Sequence, residues 1–139
     1  MKVALVWPNI TTLGVDSKYY NAQAFGLARE LSKLGHEVVI LTSDLFMDKD
    51  LKTTKSSRVY ARSYDNFNIV YMPGYASQRY PLMPNLFKEL TKFNPDVVQS
   101  AEDISPATLI SLMYSKLKGA PLLVYQGIYE HAVSSPFIS

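Results

Sequence analysis

The stretch ARELSKLGHEVVILTSD, residues 28–44, decides the fold of this chain. Its first half continues an apolar pattern with helical spacing, and Glu37–Thr42 is a nearly unbroken apolar run. Gly35 stands between the two halves, and glycine readily takes the left-handed backbone conformation that ends a helix. The stretch therefore predicts a helix that ends near Gly35, followed by a strand that is covered on both faces. The predicted apolar stripe of this helix consists of Tyr20, Ala24, Leu27, Leu31 and Leu34.

Strand-like and helix-like segments alternate on either side of this stretch, which is typical of βαβ units and a parallel sheet. We predict an α/β fold, a Rossmann-like three-layer α/β/α sandwich with a mainly parallel sheet and the strand order 3-2-1-4-5. Residues 1–139 are expected to form a single domain. The five predicted strands are Val3–Trp7, Glu37–Thr42, Asn68–Met72, Asp96–Ser100 and Leu122–Tyr125.

Two further helices are predicted in the second half of the chain. Pro84 is expected to open one of them, because proline suits the first helical position. Ser105 and Pro106 predict the start of the other, since serine is a favoured helix cap. Residues 43–66 are polar and poorly patterned, and we interpret them as a long connection that contains at most one short element. The expected buried faces are Leu86, Phe87, Leu90 and Phe93 in the first helix, and Ile110, Met113, Tyr114 and Leu117 in the second.

The composition excludes several classes of function. The sequence has no cysteine, which excludes disulfides and cysteine-ligated zinc and fits a cytoplasmic protein. Its formal net charge of +2 is too small to indicate a nucleic acid partner. The densest basic cluster has two interpretations, a solvated loop or a patch that contacts phospholipid headgroups. This cluster consists of Lys49, Lys52, Lys55, Arg58 and Arg62.

The loops after the first, fourth and fifth predicted strands are the expected ligand site, because open α/β sheets bind ligands where the strand order reverses. Glu102 and Asp103 either complement a helix dipole or accept hydrogen bonds from sugar hydroxyls. Gly14 either relaxes a turn or lets the backbone approach a ligand. His131 lies close to the same predicted face.

Several familiar sites are not predicted. The first loop has one glycine rather than the G-x-G-x-x-G that approaches a pyrophosphate, so NAD and FAD are disfavoured and no cofactor is expected. Asp44 is therefore interpreted as a turn residue. Glu102 and Asp103 have no local third ligand, so no metal site is predicted. His36 is interpreted as a residue of the helix terminus.

Two longer segments resemble a known family. Residues 28–44 resemble the helix, L-x-x-x-G-H-x-V signature and strand of the retaining family 4, or group 1, glycosyltransferases. Residues 94–127, NPDVVQSAEDISPATLISLMYSKLKGAPLLVYQG, resemble that family's P-D-[VI]-[VI] stretch with the helix and strand that follow it. The resemblance covers nearly the whole chain, and it depends on the order and spacing of the motifs together.

The resemblance implies the N-terminal, acceptor-binding half of a GT-B glycosyltransferase, in which a C-terminal half, absent here, binds most of the nucleotide-sugar donor. It implies an acceptor lipid, glycan or small molecule, and a cytoplasmic location with peripheral contact at the inner membrane face. We expect the isolated chain to be inactive. The implied substrate-binding residues are Asn9, Gly14, Glu102, Asp103, Gly127 and Glu130, and the implied catalytic residues are Gln126 and His131.

The sequence also departs from the family pattern. Histidines that the family often carries after its fourth and fifth strands are replaced here by Gln99-Ser100-Ala101-Glu102 and by Gln126. Glutamine forms hydrogen bonds but cannot hold a proton near neutral pH, so a positioning role is expected for Gln126. Two alternatives stay open: a non-catalytic module that binds a glycan or a partner, and a different Rossmann-like nucleotide-binding enzyme.

Overall fold

A computed structural model describes residues 1–8, 22–44, 58–64, 66–75, 81–101 and 105–125. Within these ranges the chain forms six strands and three helices. In chain order they are β1 (Lys2–Val6), α1 (Ala22–Lys33), β2 (Glu37–Ser43), β3 (Tyr60–Tyr64), β4 (Phe67–Met72), α2 (Leu86–Phe93), β5 (Val97–Ala101), α3 (Pro106–Lys118) and β6 (Leu122–Tyr125).

The strands form one sheet in the order β3-β4-β2-β1-β5-β6. All neighbouring pairs are parallel except β3 and β4, which are antiparallel. The predicted order 3-2-1-4-5 was therefore wrong at one edge, where it omitted an antiparallel strand. The five predicted strands keep their predicted neighbours. The described chain is an α/β fold with a mainly parallel sheet, compatible with a Rossmann-like architecture.

β3 is the element that the sequence did not predict. It lies within residues 43–66, which were interpreted as a long connection that contains at most one short element, and β3 is such an element. Its three central residues are exposed, as suits an edge strand, so it lacks the buried apolar run by which the other strands were recognised. Tyr60 and Tyr64, at its two ends, pack against the apolar core.

The core has two halves, one on each face of the sheet, because successive strand residues point to opposite faces. Val3 and Leu5 pack on one face with the buried residues of α1. Ala4 and Val6 pack on the other face with α2 and α3. The predicted three-layer arrangement is present in the described part of the chain, with helices on both sides of the sheet.

The buried face of α1 is rotated from the predicted stripe. Ala24 is buried as predicted, Leu27 and Leu31 are half-buried, and Leu34 lies beyond the helix with 74% of its surface exposed. Phe25, which was not predicted, is buried and makes an edge-to-face contact with Phe67 at 5.6 Å between ring centroids. An aromatic side chain buries more surface than a leucine, so Phe25 sets the rotation of the helix. Tyr20 lies outside the described residues.

The apolar face of α2 is as predicted, although the helix starts later. Pro84 lies in the turn before the helix, and Asn85 is the N-cap. Leu86 and Leu90 are fully buried. The helix ends at Asn94, whose φ of 54° lies in the left-handed region and whose N–H donates to the Leu90 carbonyl at 2.8 Å. Proline at the next position disfavours any continuation.

The ends of α3 are as predicted, and its predicted buried face is confirmed at Tyr114 and, in part, at the half-buried Ile110. Ser105 accepts a hydrogen bond from the Thr108 N–H at 3.1 Å, and Pro106 takes the first helical position. Tyr114 is buried and makes an edge-to-face contact with Phe87 of α2. The prediction that Met113 and Leu117 are buried was wrong, because small residues elsewhere on the helix face the sheet. The buried residues are Ala107, Thr108, Ser111 and Tyr114.

Candidate functional site

The carboxyl ends of the parallel strands define the candidate site. β1 lies between β2 and β5, with Val6 opposite Leu41 on one side and opposite Ser100 on the other. The chain passes from β1 to β2 in one direction and reaches β5 in the other, so the strand order reverses at β1. Ligands of open α/β sheets bind at such a reversal. The carboxyl end of β1 is therefore the candidate ligand site within the described ranges.

The residues that sequence analysis assigned to the site lie outside the described residues. Their roles stay predictions. The structure does describe the strands that they follow: Ala101 and Tyr125 end the neighbouring strands β5 and β6 and pair with each other, and Pro8 follows β1. Three adjacent strands thus lead into the three predicted loops. The assigned residues are Asn9, Gly14, Glu102, Asp103, Gln126, Gly127, Glu130 and His131.

The start of the first loop is held at the end of β1. The Pro8 carbonyl accepts a hydrogen bond from the Ser43 hydroxyl at 2.9 Å and lies 3.3 Å from the Thr42 hydroxyl. The Trp7 N–H donates to the Leu41 carbonyl at 2.9 Å. All of these groups are buried, where unpaired polar atoms are costly. The chain therefore leaves β1 from a fixed point.

Asp44 is a fully buried carboxylate at the end of β2. Its N–H donates to the Met72 carbonyl at 2.9 Å, which continues the pairing of β2 with β4 by one residue. Its interpretation as a turn residue is replaced by that of a residue that continues the sheet. Burial is unusual for a carboxylate unless it has partners. The signal in the sequence was its position directly after a buried strand.

Tyr60 brings a hydroxyl to the same edge. Its ring stacks on Tyr71, with 5.1 Å between centroids and an interplanar angle of 17°. Burial raises the pKa of Tyr60, the Asp44 carboxylate raises it further, and Arg62 partly opposes both effects. The hydroxyl therefore stays protonated near a carboxylate, which combines a donor and an acceptor.

A hydroxyl cluster supports the end of β5. Ser100 and Thr108 are 2.7 Å apart between their oxygens, and the Ser105 hydroxyl lies 3.1 Å from the Thr108 hydroxyl. The Thr108 hydroxyl also lies 3.4 Å from the Ala101 carbonyl. The cluster is buried, so it fixes the start of α3 against the last residue of β5.

His36 lies at the opposite, amino-terminal edge of the sheet. It follows Gly35, after the end of α1, as predicted. Its Nδ1 is 3.0 Å from the terminal amine of Met1. This position is separate from the candidate site.

The described ranges contain no group of three His, Asp, Glu or Cys side chains that could hold a metal ion. In the same ranges, no helix combines the length and the apolar character that a membrane span requires. The sequence matches no protein-family model. It also shows no significant similarity to a curated protein.

Proposed function

We propose that this chain is the acceptor-side half of a glycosyltransferase that transfers a sugar from a nucleotide-sugar donor to an acceptor. One observation carries the proposal most directly. Pro8, Ala101 and Tyr125 come at the ends of three neighbouring strands, and Asn9, Glu102 and Gln126 are covalently the next residues. Amide and carboxylate groups are the side chains that recognise sugar hydroxyls by hydrogen bonds.

The sequence resemblance supports the same function independently of the site. Its two motifs coincide with real structural junctions: Gly35 has a φ of 96° between α1 and β2, and Pro95-Asp96 precedes β5. A left-handed backbone at Gly35 is a position that glycine takes without strain. The motifs support the proposed fold, the Rossmann-like N-terminal half of a GT-B protein. The polar loops support the proposed glycosyltransferase activity.

The proposed mechanism depends on positioning and electrostatics. Asn9, Glu102 and Asp103 would hold acceptor hydroxyls, and Gln126 would orient the attacking hydroxyl without exchanging a proton. The leaving diphosphate would be stabilised by a donor-binding half that these residues do not supply. The chain alone is therefore expected to bind an acceptor and to show no turnover.

Thermal unfolding of the chain with a panel of ligands tests the proposal. A ligand that binds the native state at about 100 times its Kd adds about 2.7 kcal/mol to the free energy of unfolding. We expect such a shift with a sugar acceptor, and its loss in the variants Glu102→Gln and Gln126→Ala. Lys33→Ala, on the exposed side of α1, is the matched control.

Three outcomes would contradict the proposal. Stabilisation by NAD alone would indicate a different Rossmann-like enzyme, and turnover by the pure chain would refute the assignment of a half-site. Acceptor binding without transfer, when the donor-binding half is supplied, would instead favour a non-catalytic binding module.

A further inference from the structure

A groove of about 240 Å³ lies between α2 and the strands β2, β4 and β3, where the helix leaves part of the sheet uncovered. We call it the α2 groove. It has the volume of about eight water molecules, which is room for a small organic molecule. Its apolar lining consists of Val39, Leu41, Ala61, Val70 and Phe93.

Glu89 of α2 brings a carboxylate into this apolar surrounding. Its side chain is 10% exposed, and its carboxylate lies 3.7 Å from the Lys92 ammonium. α1 carries a pair with the same spacing, in which the Glu30 carboxylate lies 3.2 Å from the Lys33 ammonium and the glutamate side chain is 66% exposed. The pair in the α2 groove is therefore the looser of the two, although its carboxylate is the buried one.

Burial of the Glu89 carboxylate is costly unless hydrogen bonds compensate for the lost water. A hydrogen bond between an ammonium and a carboxylate spans about 2.7–2.9 Å, which is much shorter than the distance to Lys92. Within the described residues, no donor comes within hydrogen-bond distance of the Glu89 carboxylate. The α2 groove therefore contains a charged acceptor that a ligand can use.

The charges that line the α2 groove favour a cation. Glu37 and Glu89 are carboxylates, and Lys92 is the one positive charge among the described residues of the lining, so the net charge is negative. The Lys92 side chain is 65% exposed, so its ammonium can move into solvent when another cation approaches. Asn68 adds an amide at the rim, where its Oδ1 accepts a hydrogen bond from the Ser63 hydroxyl at 3.0 Å.

The class of cation follows from the composition of the lining. A metal ion requires several oxygen ligands, and the described ranges contain no group of three side chains that could supply them. An anion would meet two carboxylates, and an uncharged apolar molecule would leave Glu89 without a hydrogen bond. We propose that the α2 groove binds an alkylammonium ion. Its ammonium group donates to Glu89, and its hydrocarbon chain covers Val39 and Val70.

The α2 groove is separate from the candidate site. Glu37 is the first residue of β2 and Asn68 the second residue of β4, so the rim lies toward the amino-terminal ends of these strands. The candidate site lies at the carboxyl ends. The proposal does not depend on the proposed glycosyl transfer, and its test uses no sugar.

Calorimetric titration of the full 139-residue chain with n-hexylamine tests the proposal. An alkylamine is protonated at neutral pH, as a lysine side chain is. We expect saturable binding of n-hexylamine. We expect binding at least about tenfold weaker for n-hexanol and for hexanoate, because neither can form the charge-assisted hydrogen bonds of an ammonium with Glu89.

Four variants locate the ligand. Glu89→Gln removes the charged acceptor and should weaken binding about tenfold or more. Glu30→Gln makes the same change in the exposed pair of α1 and should bind as the unaltered chain does. Lys92→Ala removes the competing ammonium and should bind n-hexylamine at least as tightly as the unaltered chain.

Ala61→Trp blocks the α2 groove while Glu89 stays in place. Ala61 is an exposed residue of β3, so this variant should melt as the unaltered chain does. Its binding should nevertheless weaken about tenfold or more. This variant separates loss of the ligand site from loss of folding.

Four results would overturn the proposal. The unaltered chain would not bind n-hexylamine, or it would bind n-hexanol equally well. In the third, Glu89→Gln and Ala61→Trp would both bind n-hexylamine as the unaltered chain does. A lysine side chain carries the same ammonium group, so Nα-acetyl-lysine amide is titrated in parallel. Tighter binding of that compound would assign the groove to a lysine of a protein partner rather than to a small molecule.

Discussion

Lys2 and Asp96 join the starts of β1 and β5 through two hydrogen bonds in opposite directions. The Lys2 N–H donates to the Asp96 carboxylate at 2.7 Å, and the Asp96 N–H donates to the Lys2 carbonyl at 2.7 Å. The two strands are far apart in the sequence and lie side by side in the sheet. The aspartate of the Pro95-Asp96 motif therefore has a structural role at the amino-terminal edge of the sheet.

Replacing Asp96 should measure that role. Asp96→Ala removes the side-chain acceptor and should lower the free energy of unfolding by about 1 kcal/mol, the net value of one hydrogen bond. Asp96→Asn keeps an acceptor oxygen in nearly the same place and should cost less. Urea unfolding of the two variants checks the order. Equal stability of Asp96→Ala and the unaltered chain would show that the bond contributes nothing.

Replacing three glycines by alanine should change the free energy of unfolding, and the sign of the change should depend on the φ angle of each glycine. Gly35 and Gly119 have φ values of 96° and 84°, and Gly26 lies within α1. An added Cβ meets nothing within 4 Å at any of the three positions, so only the backbone differs. Gly35→Ala and Gly119→Ala should each destabilise the chain by about 1 kcal/mol. Gly26→Ala should stabilise it by about 0.5–1 kcal/mol. Thermal unfolding of the three variants provides the test, and destabilisation by Gly26→Ala would contradict it.

The cap of α3 gives a third prediction. Ser105 is fully buried and accepts from the Thr108 N–H, so Ser105→Ala should lower the free energy of unfolding by about 0.5–2 kcal/mol. Thr91 provides the control, because its hydroxyl donates to the Phe87 carbonyl at 2.9 Å on the exposed side of α2. Thr91→Ala should change stability by less than about 0.5 kcal/mol. Similar losses in the two variants, measured by urea unfolding, would indicate that burial of the cap does not matter.

Alkaline stability gives a fourth prediction, based on Tyr60. Burial, followed by the Asp44 carboxylate, raises the pKa of Tyr60 above its ordinary value near 10. Above that pH the unfolded chain loses the hydroxyl proton and the folded chain keeps it, so the free energy of unfolding falls as pH rises. Tyr60→Phe removes this term and should make the decline above about pH 10 shallower.

The matched control for Tyr60 is a tyrosine on the surface. Tyr75 is 47% exposed, and Tyr75→Phe should retain the steep alkaline decline of the unaltered chain. Urea unfolding at a series of alkaline pH values measures the slopes. If Tyr60→Phe declined as steeply as the unaltered chain, a raised pKa of Tyr60 in the folded chain would be ruled out.

The central strands were predictable because each is a short apolar run covered on both faces. Val3–Val6 and Val38–Leu41 are buried throughout, and a continuous run of this kind has few other interpretations. β3 was not predictable in the same way. An edge strand has exposed residues, and its pairing with β4 depends on contacts that a local pattern does not contain.

The orientation of α3 was not predictable for a related reason. The leucine, isoleucine and methionine residues of this helix are concentrated on one side, and the residues that face the sheet lie mainly on the other, so helical periodicity pointed away from the buried face. The buried face of α3 is set by Tyr114, whose ring packs edge-to-face against Phe87 of α2. Such a contact requires knowledge of the neighbouring helix.

The location of the site was predictable from the sequence. Its described residues, Asp44 and Tyr60, were not predicted as part of it. The rule for open α/β sheets pointed to the carboxyl edge, and the observed strands end there together. Asp44 and Tyr60 lie at the same edge because β3 lies beside β4, and β4 beside β2. The Gly35-His36 and Pro95-Asp96 pairs within the resembling segments lie at the other edge, where they shape turns. Because these residues lie away from the candidate site, they support the fold more directly than they support a reaction.

The last prediction uses Trp7, the single tryptophan of the chain. It directly follows β1 at the carboxyl edge, and it is 6% exposed. A ligand held by the loop that follows Pro8 should change the local polarity and alter the fluorescence of this indole. We expect a saturable change during titration with a sugar acceptor, with the same midpoint in a calorimetric titration. Trp7→Phe should remove the optical signal and leave the calorimetric signal in place.

A ligand that stabilises the chain without changing Trp7 emission would bind elsewhere. The amino-terminal groove that Met1, Leu31 and Leu123 line would then be tested with Leu123→Glu. Loss of binding in that variant would contradict a site at the carboxyl edge.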